Sequence, residues 1–158
     1  MEVLTVEEIV QLIEVSRTTA PDMTNLYTLL SLTGLRIGEA LGLRWVDINF
    51  VNSTIHVRQQ LLKDGVNPEF AELKTRSSNR VLDMGESAMS ALLEEKRTQG
   101  TYKAEDQHYH DYDLVFCQPN GRPLPHKPIY KQLHDCFKAG SMSLGTLIFR
   151  CSLTMELR

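Results

Sequence analysis

The 158-residue sequence has the composition of an ordinary globular domain, with 42% hydrophobic residues, 23% charged residues and a net charge of -3. This length is enough for one domain with a buried core. No apolar run reaches the roughly 18 residues that a membrane span needs, and the acidic start MEVLTVEEIV is unlike a secretory signal. Three cysteines without CxxC spacing argue against a disulfide framework or a zinc site and predict reduced thiols in a cytoplasmic protein: Cys117, Cys136 and Cys151.

The charges are unevenly distributed along the chain. The first segment is acidic, with Glu2, Glu7, Glu8 and Glu14 before the first base, Arg17. Two basic groups follow: Lys74, Arg76 and Arg80, then Arg122, Lys127, Lys131 and Lys138 with only Asp135 opposed to them. A local basic surface binds phosphate even on an acidic protein. Scattered, solvated charges are the alternative interpretation.

Helix signals dominate the first 43 residues. A capping box at Thr5 and Glu8 predicts a helix start, and the apolar face of that helix is predicted to be Val6, Ile9, Val10 and Ile13. A second helix is predicted over residues 23–33, ended by Gly34 in a left-handed conformation. A third, short helix is predicted over residues 37–43.

The pattern changes to strands and then returns to helix. Alternation around Ile55 and Val57 predicts a first strand, and two further strands are predicted at residues 70–74 and 80–84, joined by the tight turn TRSSN. A helix is predicted over 86–99 with Gly100 beyond it, and LVF is a short strand candidate. Pro128 opens a last helix, whose apolar face is Ile129, Leu133, Cys136 and Phe137. The predicted class is α+β, mainly helical, with a small three-stranded antiparallel sheet.

Several kinds of site are disfavoured by the sequence. The segment with His108, Tyr109, His110, Asp111 and Asp113 has metal-binding residue types, but it is a polar loop without a partner cluster elsewhere, which favours a solvated loop. There is no GxSxG nucleophile elbow and no phosphate-binding GxxxxGK or GxGxxG loop. We therefore predict no metal site and no cofactor.

Two basic stretches remain as candidates. In TGLRIGEALGLRW, Gly34 breaks a helix so that Arg36 projects from a helix junction, and Glu39 lies three residues on, where it could orient the guanidinium. In ELKTRSSNRVL, Lys74 stands at the mouth of the predicted hairpin. Each stretch by itself also fits a purely structural role, as a helix-junction arginine or as a basic turn.

Taken together, TGLRIGEALGLRWVDI and LKTRSSNRVL resemble the catalytic domain of the tyrosine recombinases, the lambda-type phage integrases. The first stretch is similar to the family's first box and the second to the hairpin that carries its catalytic lysine. LVFCQPNGRPL and the helix after it are a looser match. The resemblance covers most of residues 1–140 and implies a partial catalytic domain there, followed by a divergent or truncated tail at 141–158.

The resemblance also implies roles for individual residues. In this family a tyrosine attacks a DNA phosphodiester, which gives a 3'-phosphotyrosine link and a free 5'-hydroxyl without metal or nucleotide. Arg36 matches the arginine that binds the phosphate oxygens as their negative charge grows, with Glu39 in support. Lys74 matches the general acid for the leaving 5'-oxygen. The same resemblance implies contacts to the DNA backbone from Arg76, Ser77, Ser78 and Arg80.

The second half departs from the family pattern. No intact His-x-x-Arg box is present; Arg150 in LIFRC stands where the box arginine would fall, and a decayed box, an altered reading frame and coincidence all stay open. All five tyrosines precede the position where the family places its nucleophile, so none is expected to serve: Tyr27, Tyr102, Tyr109, Tyr112 and Tyr130.

The expected function is thus site-specific recombination and integration of DNA, in a fragment that lacks the nucleophile and is inactive alone. The expected partner is duplex attachment-site DNA, with self-association on DNA in the full-length protein, in the cytoplasm of a bacterium and encoded by it or by a phage. One alternative is a non-enzymatic DNA-binding prophage remnant. Another is an unrelated helical interaction domain with accidental matches.

Overall fold

The structure, a computed structural model, describes residues 4–142 of the chain. Five α-helices are present in this part: α1 Val6–Thr19, α2 Thr24–Thr33, α3 Ile37–Leu41, α4 Glu86–Glu105 and α5 His126–Ala139. Five strands lie between α3 and α4: β1 Ile48–Asn49, β2 Thr54–Val57, β3 Gln59–Lys63, β4 Glu69–Glu72 and β5 Arg80–Asp83. The predicted class, α+β and mainly helical, is confirmed. None of the helices in residues 4–142 is long and apolar enough to cross a membrane.

The chain divides into two compact units. The described part of the first unit comprises residues 4–37 and 126–142, in which α1 packs against α2 and α5. Its core includes Tyr27 and Phe137, both with 0% exposure, and the Tyr27 hydroxyl donates to the Ile129 carbonyl across 2.9 Å. Burial raises the pKa of Tyr27. The predicted apolar face of α5 is confirmed, since Ile129, Leu133, Cys136 and Phe137 are all buried.

Local signals in the first unit predicted helix ends better than helix faces. The capping box at Thr5 and Glu8 is formed, and Gly34 ends α2 with a φ of 64°. The predicted face of α1 was wrong in part, because Val6 and Val10 are exposed while Leu12 and Ser16 are buried. The face of α1 is set by where α2 and α5 pack, and that is not encoded in the spacing of its own residues.

The second unit, residues 38–125, contains two small antiparallel sheets. One has three strands in the order β1-β2-β5, and the other pairs β3 with β4. The three-stranded sheet was predicted, but the strand at 70–74 was expected in it. Instead β4 pairs with β3 and β5 pairs with β2, so the residues between β4 and β5 connect two sheets and do not close a hairpin.

Two other predictions for this unit need correction. Helix α4 was expected to end before Gly100, but it continues to Glu105. The additional helical residues follow the buried Gln99, whose side chain is fixed by three hydrogen bonds. Its amide nitrogen donates to the carbonyls of Leu114 and Val115, and its oxygen accepts from the Trp45 indole at 2.8 Å. These contacts outweigh the roughly 1 kcal/mol cost of a helical glycine. The LVF strand candidate makes only an isolated bridge, between Leu114 and Arg44.

Candidate active site

The loop at residues 73–79 carries Lys74 and is fixed at several points. At its start, the Leu73 amide donates to the Arg58 carbonyl across 2.7 Å. Inside it, the Thr75 carbonyl accepts from the amides of Ser78 and Asn79, and the Thr75 hydroxyl bonds the hydroxyl of Ser78 at 2.7 Å. Because backbone and hydroxyl groups supply these bonds, the loop is ordered while the side chains of Lys74 and Arg76 stay exposed. Ser77 is also exposed, and its hydroxyl lies 3.2 Å from that of Thr75.

The end of this loop is fixed by an ion pair with a buried carboxylate. Glu39 on α3 has 1% exposure and accepts from Nη1 and Nη2 of Arg80 at 3.2 and 3.0 Å. Nη1 of Arg80 also donates to the Ser78 carbonyl at 2.9 Å. The two-pronged geometry is the strong form of a guanidinium–carboxylate contact. The sequence predicted that Glu39 supports Arg36 and that Arg80 contacts the DNA backbone. In the structure, Glu39 and Arg80 bond each other.

Close packing of α3 against β3 explains two glycines of the first stretch. A Cβ added to Gly42 would lie 2.8 Å from the Gln60 Cα, and one added to Gly38 would lie 3.0 Å from the Leu61 carbonyl oxygen. Gly38 and Gly42 are four residues apart and therefore share a face of the chain where it leaves α3. This close approach places Glu39, between them, within reach of Arg80.

Arg36 belongs to the first unit, in the three residues between α2 and α3. The left-handed Gly34 turns the chain, and Leu35, at 1% exposure, packs inward. The Leu35 amide donates to the Thr33 hydroxyl at 3.3 Å. Arg36 is consequently held at an exposed position by a buried neighbour. Arg150, the third predicted catalytic residue, lies outside the described residues.

The loop at 106–113, which the sequence offered as a metal candidate, uses its polar side chains internally. Lys103 bonds the Asp111 carboxylate at 3.0 Å, and this bond holds the pKa of Asp111 below its ordinary value, together with a bond from the Asp113 amide. Asp113 accepts from the Val46 amide at 3.0 Å. Within residues 4–142, no group of three or more His, Cys, Asp or Glu side chains is placed to hold a metal ion.

All five tyrosines lie in the described residues, and none is exposed. The Tyr109 hydroxyl lies 3.3 Å from the Cys117 sulfur, and burial raises the pKa of Tyr109. Tyr112 packs near Phe70, with ring centroids 6.3 Å apart. Tyr27 is buried as described above, and Tyr102 and Tyr130 are half-buried on helices. Partly or fully buried phenols with raised pKa values are poor nucleophiles.

The sequence interpretation missed a second buried carboxylate. Asp47, with a side chain 2% exposed, accepts from Nε of Arg44 at 3.2 Å and from Nη2 of Arg58. The spacing of Arg44 and Asp47, three residues apart, was the available signal. Arg58 is eleven residues further along and carried no such signal.

Comparison with known proteins decides the family. The profile of the phage integrase family matches residues 2–150, nearly the whole chain. The chain belongs to the phage integrase family. The resemblance inferred from the two basic stretches is thereby confirmed, and accidental matches in an unrelated helical domain are excluded.

Individual relatives of this phage integrase family member agree with that assignment. The Escherichia coli K12 protein named "Putative defective protein IntQ" is 32% identical over 109 residues, which cover 67% of this chain and 26% of IntQ. The Tn1549 transposon integrase, in complex with transposon right end DNA, has a TM-score of 0.70 at 23% identity, over 87% of this chain and 45% of that one. XerH recombinase bound to its difH substrate has a TM-score of 0.56 at 20% identity, over 90% and 38% of the two chains.

The chain thus spans about a quarter of the curated relative and less than half of these solved structures. At identities below 25%, the solved structures establish the fold.

Proposed function

We propose that this chain binds duplex DNA and supplies part of the phosphate-binding machinery of site-specific DNA recombination. The observation that carries this proposal is the 73–79 loop, which is ordered by backbone and hydroxyl bonds and leaves Lys74, Arg76 and Ser77 exposed. Membership of the phage integrase family makes a DNA phosphate the expected partner of the exposed Lys74 and Arg76. The Tn1549 integrase and XerH were solved with DNA. The site of action is the cytoplasm of a bacterial host.

The roles we assign follow the chemistry of phosphodiester cleavage. Arg36 binds the non-bridging oxygens of a phosphate, because a guanidinium offers two parallel donors to growing negative charge. Lys74 donates the proton that the leaving 5'-oxygen needs. Arg76 and Ser77 contact the backbone and position the duplex. Ser78 and Arg80 act mainly by holding the loop, since Ser78 bonds the Thr75 hydroxyl and Arg80 donates to the Ser78 carbonyl.

We also propose that these 158 residues do not form the covalent DNA link by themselves. The support is the placement of the five tyrosines, all buried or half-buried, with pKa values raised at Tyr27 and Tyr109. Self-association on DNA and cleavage then belong to a full-length enzyme of this family.

A suicide substrate, in which the cleaved strand cannot be rejoined, tests this directly. The expected result is salt-sensitive duplex binding without a covalent adduct on denaturing gels. A 3'-phosphotyrosyl adduct would show that one of the five tyrosines is a nucleophile, and single Tyr→Phe variants would identify it. Absence of duplex binding at low salt would overturn the DNA proposal itself.

The second candidate is a DNA-binding remnant without a catalytic partner, and the similarity to IntQ, which carries "defective" in its name, favours it. The two candidates differ in what Arg36 does. In a remnant Arg36 contributes only its charge, so Arg36→Ala loses one charge's worth of affinity, whereas Arg36→Lys keeps the charge and binds normally. A phosphate-clamping Arg36 needs the planar guanidinium, so Arg36→Lys loses affinity for DNA carrying vanadate or another transition-state mimic while keeping affinity for plain duplex.

A further inference from the structure

A second polar site lies beneath the start of the Lys74 loop, where the two sheets of the second unit part. The strand β2 passes into β3 at Arg58, and the Leu73 amide donates to the Arg58 carbonyl there. A cavity of about 170 Å³ opens at this point, lined by Arg44, Arg58, Gln59, Glu72, Leu73 and Asn79. We refer to it as the Arg44–Arg58 cavity. Leu73 immediately precedes Lys74, so the cavity adjoins the proposed DNA-binding loop.

The two guanidinium groups are held in place by one buried carboxylate. Asp47 accepts from Nε of Arg44 and from Nη2 of Arg58, and its side chain is 2% exposed. The arginine side chains themselves remain 33% and 39% exposed. Because the carboxylate fixes one edge of each guanidinium, less side-chain entropy is lost when the remaining donors bind a ligand.

Two donors of the lining residues have no acceptor within residues 4–142. The Nε of Arg58 is buried and has no hydrogen-bond partner in the described part of the chain. A buried donor without an acceptor is unfavourable. Asn79 accepts from His56 through Oδ1 at 2.8 Å, which leaves its amide nitrogen as a further donor. Gln59, by contrast, already donates to the Gly42 carbonyl at 2.7 Å.

The charges of the lining are nearly balanced. Arg44 and Arg58 are opposed by Glu72 on the wall and by Asp47 behind them. A ligand is therefore selected mainly by its acceptor geometry, and it must bring several oxygens to a set of nitrogen donors. A tetrahedral phosphate group has that geometry.

We propose that the Arg44–Arg58 cavity binds a phosphate group, with Arg44, Arg58 and Asn79 as donors and Glu72 as the residue that limits its affinity. The source is either a phosphodiester of the duplex or a free phosphate ion. The duplex source rests on the proposed function and places a second backbone contact next to that of Lys74. The free-ion source does not depend on it.

The first arm of the test uses inorganic phosphate and the thermal unfolding of the 158-residue protein, with sodium chloride at equal ionic strength as reference. Phosphate is expected to raise the Tm of the wild type above its value in chloride. Arg44→Gln should abolish this rise, and Glu72→Gln should enlarge it. Glu69→Gln is the matched control. Glu69 is on the same strand as Glu72, but it pairs with Lys63 at 3.5 Å and is not one of the residues that line the cavity. This variant should leave the rise in Tm unchanged.

The second arm uses duplex DNA and the slope of log affinity against log salt. If a duplex phosphate occupies the cavity, Arg44→Gln lowers the slope by about one, whereas Arg97→Gln on α4 does not. If the phosphate rise in Tm depends on Arg44 but the slope does not, the cavity takes a free phosphate ion. If neither depends on Arg44, or if Glu69→Gln acts as Glu72→Gln does, the proposal is overturned.

The two arms also separate this proposal from the general one. A protein that shows the Arg44-dependent phosphate effect without duplex affinity keeps the cavity and loses the proposed function. A protein that binds duplex without any Arg44 dependence keeps the proposed function and loses the cavity.

Discussion

Two polar loops of the second unit, a basic one at 73–79 and an acidic one at 106–113, are ordered in different ways in the structure. The first is ordered through the Thr75 carbonyl and hydroxyl and keeps Lys74 and Arg76 exposed. The second is ordered through its own ionisable side chains, with Asp111 bonded to Lys103 and Asp113 to the Val46 amide. A loop that binds a charged ligand needs its charges outside its own hydrogen-bond network. The two loops differ in the sign of their charges and in whether those charges order the loop through bonds within the protein.

Gly121→Ala should disrupt the 106–113 loop most strongly. A Cβ on Gly121 would lie 2.2 Å from the His110 carbonyl oxygen and 2.8 Å from the Tyr109 ring, and its φ of +81° disfavours any side chain. Overpacking and backbone strain together predict a loss of about 4 kcal/mol in the free energy of unfolding. Urea denaturation measures it, with Gly100→Ala, which has open space around it, as control. A loss under about 1 kcal/mol would contradict the packing described here.

Arg80→Gln should destabilise the end of the 73–79 loop. The change leaves the buried Glu39 carboxylate without the guanidinium that now bonds both of its oxygens. Breaking such a pair costs about 3 kcal/mol. The double variant Glu39→Gln with Arg80→Gln should recover part of that loss in the same denaturation experiment. A loss in the double variant equal to the sum of the losses in the Glu39→Gln and Arg80→Gln single variants would mean that the pair is not coupled.

The sequence predicted features that depend on neighbouring residues, but it did not predict contacts between residues far apart in the chain. Features set by adjacent residues were predicted correctly, such as the Thr5 capping box, the Gly34 helix end and the apolar face of α5. The Glu39–Arg80 pair joins residues 41 apart, and no local pattern specifies such a partner. Likewise, the sequence predicted a strand near Phe70 but not that this strand pairs with β3.

The candidate site was likewise predicted only in part. Resemblance of two short, continuous stretches identified the family. The role of the loop with Lys74 stays a prediction. Arg58 and its cavity were missed, since they depend on where β2 passes into β3 and on the Leu73 contact across the sheet.

Thr75→Val should loosen the 73–79 loop by a smaller amount. It removes the hydroxyl that bonds Ser77 and Ser78 and keeps the side-chain volume. We expect a loss of about 1 kcal/mol in unfolding free energy and weaker duplex binding with an unchanged salt slope, because the charge of Lys74 is retained. Thr101→Val on α4 is the matched control, and anisotropy titration gives the affinity. A changed slope would contradict the assignment of Thr75 to loop order.

Asp111→Asn should have the smallest effect on stability. Because its pKa is lowered in the folded state, the ionised carboxylate favours folding above the ordinary aspartate pKa, and this contribution is lost as the pH falls through the lowered value. The pair is exposed, so we expect a loss of about 0.5 kcal/mol near neutral pH. The difference between variant and wild type should vanish in strong acid. A difference independent of pH would exclude ionisation as its cause.

We propose that the 73–79 loop presents its charge to DNA and that the 106–113 loop does not. The salt dependence of duplex binding tests this in Lys74→Ala and Lys103→Ala, which remove the same charge beside the two loops. The slope of log affinity against log salt should fall by about one for Lys74→Ala and stay at the wild-type value for Lys103→Ala. An equal fall in both variants, or an unchanged slope for Lys74→Ala, would contradict it.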